Sequence, residues 1–414
     1  MEQAAVYIAL AAVLGLYMTW GVGANDVANA MGTSVGSKAI TVRNAIVIAA
    51  IFEFAGAFLA GGHVTGTIRK GIIDAAYVPS PEVLVFGMLA ALLGAGIWLM
   101  VASWFGWPVS TTHTIVGALI GFGVAGLGVE AVQWGQVASI VASWLVSPLL
   151  GGTLAFLLAH SVRVLILEAE VPFEAAKKYG PIYVFLMGVL ISLVTVWKGL
   201  THINVELSTW EAAGVAVALG LVTALVGKAL ISRIEEPGEG RGFQFAAVEK
   251  VFAPLCVFTA TAMAFAHGSN DVANGVGPLV AVVSIASTGE VLQTAAVPAW
   301  ILALGGAGIV LGLVTLGYRV MRTIGTKITE LTPSRGFCAE LAAASTVVIA
   351  SRLALPVSTT HIIVGAVLGV GFARGIAAID LRIVLKIVAS WVVTLPVGAA
   401  LAAFFYFFFR GVFM

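Results

Sequence analysis

Charge is what this 414-residue sequence has least of. Only 10% of its residues are Asp, Glu, Lys or Arg, against 60% hydrophobic, where a soluble domain carries about 25% charged residues. Mean hydropathy is +1.06. A water-soluble globular domain is excluded, and many apolar stretches of spanning length predict an integral membrane protein. The 21 basic and 20 acidic residues leave a net charge of +1, which gives no electrostatic footing for nucleic acid. The two cysteines, Cys256 and Cys338, both sit in apolar surroundings and make neither a disulfide framework nor a metal cluster. No cleaved leader is expected, because Met1-Glu2-Gln3 opens without a basic region and no small-residue cleavage box follows. Signatures of catalysis are missing too. Gly227-Lys228 is followed by Ala229, and Val222 stands where a P-loop needs its first glycine. There is no zinc-type His/Glu pattern and no nucleophile elbow, so neither an enzyme nor a cofactor is expected.

What the sequence has instead is polar residues where apolar ones are cheap. Gly23-Ala24-Asn25-Asp26-Val27-Ala28-Asn29-Ala30 lies inside an apolar region and recurs as Gly268-Ser269-Asn270-Asp271-Val272-Ala273-Asn274-Gly275, 245 positions later from Asp26 to Asp271. A carboxylate at the centre of a membrane helix costs about 2.5–3.5 kcal/mol on insertion scales. A second pair follows at an offset of 248 from His113 to His361: Pro108-Val109-Ser110-Thr111-Thr112-His113 and Pro356-Val357-Ser358-Thr359-Thr360-His361. A third, Val141-Ala142-Ser143-Trp144 and Val388-Ala389-Ser390-Trp391, has an offset of 247 from Trp144 to Trp391. Three motifs in one order at offsets within three residues of one another define an internal duplication.

These boundaries predict a first transmembrane repeat over 1–160, a linking transmembrane pair over 161–227, a cytoplasmic connector over 228–250, and a second repeat over 251–414. Lys and Arg are dense in 161–180 and 228–250 and absent from the N-terminal tail. The N-terminus is then expected outside and the second repeat is expected to start inside, which makes the repeats inverted. The basic stretches at Arg69-Lys70 and Arg319–Arg335 would fall on opposite sides and argue against this orientation. Glycines around both Asn-Asp stretches predict helices that break or end there, a geometry tolerated only around a polar cavity.

Each Pro-Val-Ser-Thr-Thr run reads as the capped start of a half-helix. A helix N-terminus with free N–H groups and three hydroxyls is an anion site. In inverted repeats, discontinuous helices are where transporters hold substrate. Asn25, Asn270, Ser110, Thr111, Thr112, Ser358, Thr359 and Thr360 are therefore the expected anion ligands. His113 and His361 are read as hydrogen-bonded packing residues. The carboxylates and amides of Asp26, Asn29, Asp271 and Asn274 suit a monovalent cation, sodium or a proton, because no Lys or Arg lies in either stretch. The rival reading is a packing pair in which Asp26 bonds to Asn274 and Asp271 to Asn29. Glu53 and Glu340 are the other intramembrane acids. They are not repeat equivalents, since Leu92 stands where the first half would match Glu340, so each is expected to serve a gate or a coupling step.

The duplicated Asn-Asp octets and the two Pro-Val-Ser-Thr-Thr-His runs together resemble the signature of the inorganic phosphate transporter (PiT) family, over nearly the whole chain. The resemblance implies an all-α integral membrane protein with about 12 transmembrane helices, two inverted repeats and cation-coupled uptake of inorganic phosphate. It also implies that Asp26, Asp271, Glu53 and Glu340 are essential. Family analogy points to a homodimer in the lipid bilayer, here the plasma membrane of a bacterium or archaeon. The expected activity is sodium-coupled phosphate symport by alternating access. Proton-coupled phosphate transport and sulfate transport on the same fold remain alternatives, as does an anion channel.

Overall fold

A computed structural model describes residues 3–63, 72–199, 207–234, 238, 240–291, 297–352 and 357–413. Arg69, Lys70 and Pro356 lie outside the described residues. Within them the chain forms thirteen α-helices, with short 3₁₀ and π turns at several ends and no strand longer than one isolated bridge, Ile73 to Val132. In chain order these are α1 (Ala4–Gly36), α2 (Val42–Ala60), α3 (Pro81–Phe105), α4 (Thr111–Phe122), α5 (Trp134–Val162), α6 (Pro172–Val194) and α7 (Thr209–Ile231). They continue with α8 (Arg241–Thr288), α9 (Ala299–Thr315), α10 (Gly317–Thr326), α11 (Pro333–Arg352), α12 (Thr359–Arg374) and α13 (Leu381–Phe413).

Among the described residues eight helices are long and apolar enough to cross a membrane, and there are nine spans if α9 and α10, bent by 67° at their junction, are counted as one. The half-helices α4 and α12, 12 and 16 residues, reach only about 18 and 24 Å. Their outward neighbours, such as Leu145, Leu149 and Val392, are left exposed, as lipid-facing side chains would be.

Local chemistry sets the helix ends. The Thr41 hydroxyl accepts from Asn44 N at the start of α2, and Ser208 and Glu211 form a reciprocal capping box on α7. Helix α3 stops at Gly106, whose φ of 68° only glycine adopts without strain.

The two Asn-Asp stretches are not breaks. Helix α1 runs unbroken for 33 residues and α8 for 48, which corrects the expectation of a broken helix at each. The glycines there serve approach between helices. A Cβ on Gly23 would overlap the Ile309 carbonyl oxygen, and one on Gly268 would overlap that of Glu53. So α1 is pressed onto α9 and α8 onto α2, the same contact made once by each half. Poor intrinsic helix formers are carried here by tertiary packing.

Helices α1 and α8 cross at the centre and run antiparallel. Gly15 meets Leu279, Gly275 meets Thr19, and Ser34 meets Cys256. The halves also exchange partners, since α4 packs on α13 and α12 on α5. Two apolar cores result. One gathers α5, α6, α11, α12 and the first part of α8. The other gathers α3, α4, α13 and the last part of α8. The polar motifs lie between them.

Candidate functional site

The centre is built from an Asn-Asp helix and a half-helix of each half, with the extended segment before α4 in the first half. Ser110 caps α4 by accepting from His113 N at 3.2 Å, and Ser358 caps α12 by accepting from His361 N at 3.2 Å. The first N–H groups of a helix have no intrahelical carbonyl. Each cap takes up one of them, and the two residues between cap and histidine keep theirs. Both half-helices thus present N–H groups, the positive end of a helix dipole and hydroxyls.

The hydroxyls of the second positions join the carboxylates. Thr111 Oγ1 donates to Asp26 Oδ2 at 2.7 Å and accepts from Asn274 Nδ2 at 3.1 Å. Its counterpart Thr359 Oγ1 donates to Asp271 Oδ2 at 2.8 Å and accepts from Asn29 Nδ2 at 3.2 Å. Each threonine therefore ties the acid of one Asn-Asp helix to the amide of the other. The direct Asp–Asn pairs weighed above do not form among these bonds. Thr360 adds an unsymmetrical link: Asn29 Nδ2 donates to its hydroxyl at 2.9 Å, and Asp26 Oδ1 and the Val109 carbonyl lie 3.3 and 3.1 Å away as acceptors. Thr112 is buried beside them. Asn270 Nδ2 donates to Asp271 Oδ1 at 2.7 Å.

Asn25 is differently employed. Its amide donates to Ser103 Oγ and to the Trp107 carbonyl, and its oxygen accepts from Val109 N, at 3.2, 2.9 and 3.1 Å. It braces the break between α3 and α4. From the other side α10 supports the same break, with Thr323 Oγ1 donating to Gly106 O and Arg319 donating to Trp104 O.

His113 and His361 are buried packing residues, as read from the sequence, but their packing joins the halves. The His113 ring stacks on Trp144 with centroids 3.5 Å apart, and His361 stacks on Trp391 at 3.7 Å. The two imidazoles meet edge to face at 4.3 Å. His361 Nδ1 lies 3.2 Å from the Trp144 carbonyl, and Trp391 Nε1 donates to the Pro108 carbonyl at 3.1 Å. The third repeated motif thus completes a four-ring stack with the second.

The residue that sequence reasoning missed is His267. Its Nε2 lies 3.0 Å from Asp271 Oδ2 and 3.9 Å from Asp26 Oδ2, and its Nδ1 lies 3.3 Å from Glu53 Oε1. The imidazole thus stands against three acids at once. All four side chains are essentially inaccessible, at 0–1% exposure. Glu53 is thereby placed at the site. The available signal was small: His267 precedes the second octet, where the first copy has Val22. One oxygen or nitrogen from each of Asp26, His267 and Asp271 falls within 4.8 Å of the others, a spacing that can hold a cation. Glu340 lies elsewhere, on α11, where its Oε1 accepts from Thr33 Oγ1 in a short bond.

Two antiparallel helices, each bringing an acid and amides, meet two half-helices head to head at a buried polar centre. That is the plan of a secondary transporter, in which duplicated halves hold substrate and ions at broken helices. The phosphate transporter family profile matches residues 22–402, and the chain belongs to that family. A relative from Haemophilus influenzae named "Putative phosphate permease" is 49% identical over 407 residues, covering 98% of this chain and 97% of its own. The Arabidopsis thaliana protein "Inorganic phosphate transporter 2-1, chloroplastic" is 46% identical over 416 residues, 95% of this chain and 70% of that protein. A solved structure described as "The sodium-dependent phosphate transporter" is 40% identical, with a TM-score of 0.89 over 98% of this chain and all of that one. This is a phosphate transporter family membrane protein and not an enzyme.

Proposed function

We propose that the chain is a sodium-coupled inorganic phosphate symporter working by alternating access, in the plasma membrane of a bacterium or archaeon. The observation that carries the reading is the pair of threonines, Thr111 and Thr359, each bound to an acid and to an amide from opposite helices. Phosphate is held by Ser110, Thr111, Thr112, Ser358, Thr359 and Thr360 with the N–H groups of both half-helices, and Asn270 stands beside them. Asp26, Asn29, Asp271 and Asn274 hold sodium. Two carboxylates next to an anion repel it in a water-poor centre. Sodium ions neutralise both, so that the loaded site reorients and the half-loaded one does not. His267 supplies a nitrogen base among Asp26, Asp271 and Glu53, and Asn25 is assigned to the chain break.

Orientation follows from the placement of Lys and Arg. A basin of about 1100 Å³ opens at one face and is lined by Lys38, Lys327 and Arg382 together with Glu249, Glu330 and Asp380. A neighbouring cavity is lined by Arg163, Arg335 and Arg374. At the opposite end, where Tyr7 meets Phe413 and Glu82 lies near Tyr7, Arg410 in the last turn of α13 is a basic residue. By the positive-inside tendency the basin face is cytoplasmic.

Radioactive phosphate uptake into proteoliposomes tests the reading. An imposed sodium gradient at fixed pH is expected to drive accumulation, and Asp26→Asn is expected to abolish it. Accumulation driven only by a pH gradient would transfer the coupling to protons. Uptake that sulfate abolishes by competition would make the anion sulfate, and a sodium-independent, non-saturating flux would make the protein a channel.

A further inference from the structure

We propose that the cavity between the ends of α5, α11 and α12 is a second anion site, which takes a phosphoryl oxyanion at the cytoplasmic face, apart from the central hydroxyls. The proposal goes beyond the transport reading above and takes from it only which face is cytoplasmic.

The cavity has a volume of about 330 Å³. Arg163, Arg335 and Arg374 line it, and Glu168 is the one acid among its described lining residues, which leaves an excess of two positive charges. Two of the arginines have framework duties. Arg163 donates from Nε to Glu168 at 2.7 Å and from Nη1 to the Ala373 carbonyl at 3.1 Å, tying α5 to the end of α12. Arg374 donates to the Glu330 carbonyl at 3.0 Å and lies 3.4 Å from the carboxylate of the same residue. Arg335 has no such duty: it makes no hydrogen bond or ion pair among the described residues.

Nothing local explains a guanidinium at that position. Arg335 stands in the first turn of α11, the end of a helix that favours anions over cations. It is half-buried, and Arg374 is close enough to repel it. The acids nearby are already engaged. Glu249 accepts from Ser334 N at 2.7 Å and from Ser334 Oγ at 2.9 Å, Glu330 is held by Arg374 and Glu168 by Arg163. An anion in the cavity supplies the missing partner. The fork of a guanidinium matches the oxygens of a phosphoryl group in pairs, and a dianion matches the excess charge. A further observation points the same way: beyond α5 the chain passes into a π turn over Arg163–Leu167, a distortion frequent at functional sites.

The symmetry of the fold argues against a scaffold role for the cluster. At the repeat offset of 248, Arg335 corresponds to Gly87 and Arg374 to Gly126, while Arg163 recurs as Arg410 at the offset of 247. The other half is therefore built without two of the three cations. Free phosphate and the phosphodiester of an anionic lipid share the chemistry required. Either would tie α5 of the first half to α11 and α12 of the second.

The test has two arms, each comparing wild type with Arg335→Gln in the purified full-length protein. In the first, radioactive phosphate binding is measured in nanodiscs of phosphatidylcholine, with choline replacing sodium so that the sodium-coupled centre stays empty. In the second, the protein is taken from nanodiscs of equal phosphatidylglycerol and phosphatidylcholine, and retained lipid is counted by native mass spectrometry. One of the two ligands is expected to bind wild type and to bind Arg335→Gln at least about tenfold more weakly, the scale of one lost bond between charged groups. Loss in the first arm identifies free phosphate, and loss in the second identifies a lipid headgroup. Equal binding by both proteins in both arms overturns the proposal. Phosphate that both proteins bind equally without sodium is central phosphate and counts against the sodium-coupled reading instead. Should Arg335→Gln fail to fold, Arg374→Gln decides by the same two measurements.

Discussion

Replacing Thr111 by Val tests the central network directly, because the side chain keeps its shape and loses only a hydroxyl. In the native site that hydroxyl donates to Asp26 at 2.7 Å and accepts from Asn274 at 3.1 Å. Losing the bond to a charged group is worth about 1.5–3 kcal/mol, and leaving a buried amide donor without its acceptor adds about 1–3 kcal/mol. Taking about 3 kcal/mol as the combined loss, at about 1.4 kcal/mol per tenfold, the apparent sodium affinity of phosphate uptake falls roughly 100-fold. The structure makes a second demand. Thr359 has the same two kinds of partner at 2.8 and 3.2 Å, but Asn29 keeps a second acceptor in Thr360 at 2.9 Å, so Thr359→Val is expected to shift in the same direction and by less. The assay is the sodium dependence of phosphate uptake in proteoliposomes at equal reconstituted protein. A shift below about threefold in Thr111→Val, or a larger shift in Thr359→Val than in Thr111→Val, would refute the argument that these hydroxyls hold the acids in place.

Other outcomes follow from the same geometry. His267→Gln removes the one basic group in contact with Asp26, Asp271 and Glu53 among the described residues and is expected to lower stability by about 3–5 kcal/mol. Glu53→Gln in the same chain should restore part of it, read as thermal melting in detergent; equal melting of wild type and His267→Gln would contradict this. Gly23→Ala and Gly268→Ala place a methyl group on a facing carbonyl and should abolish monodisperse protein on size exclusion. Gly214→Ala, with nothing within 4 Å of the added carbon, should elute as wild type does. Trp391→Phe keeps a ring against His361 and loses only the bond to Pro108, so a loss near 1 kcal/mol is expected; a collapse of folding would mean that the indole does more than this bond describes.

The membrane class, the duplication and the hydroxyl-capped half-helices were legible because they rest on strong signals. These are extreme composition, three motifs at nearly one offset, and proline before hydroxyls before an apolar run. Antiparallel α1 and α8 agree with the inversion read from basic loops. The continuity of those helices was not legible. Asn, Asp and Gly are poor helix formers in isolation, and only the packing of Gly23 on Ile309 and Gly268 on Glu53 reveals why the backbone stays helical. The same proximity explains why Glu53 belongs to the centre although it lies on a different helix. His267 escaped because reading by repeats favours residues that recur, and this one replaces a valine. Asn25 matched Asn270 in the sequence, yet the two differ in use, since what surrounds each amide is set by segments far along the chain.

The four stacked rings have a mechanical meaning. Trp144, His113, His361 and Trp391 form a hinge pin through both halves, with each half supplying two of the rings. A half-helix that swings alone must slide its imidazole off its neighbour's edge. One that swings with its partner leaves the pin intact. If the anion is released by moving these half-helices, they turn as one piece or the pin opens in a single step, since packed contacts of this kind have discrete arrangements rather than a continuous range. A disulfide placed across the two half-helix tips would tell these apart: transport that survives the bridge means that the pair turns together, and transport that stops and returns on reduction means that the pin must open.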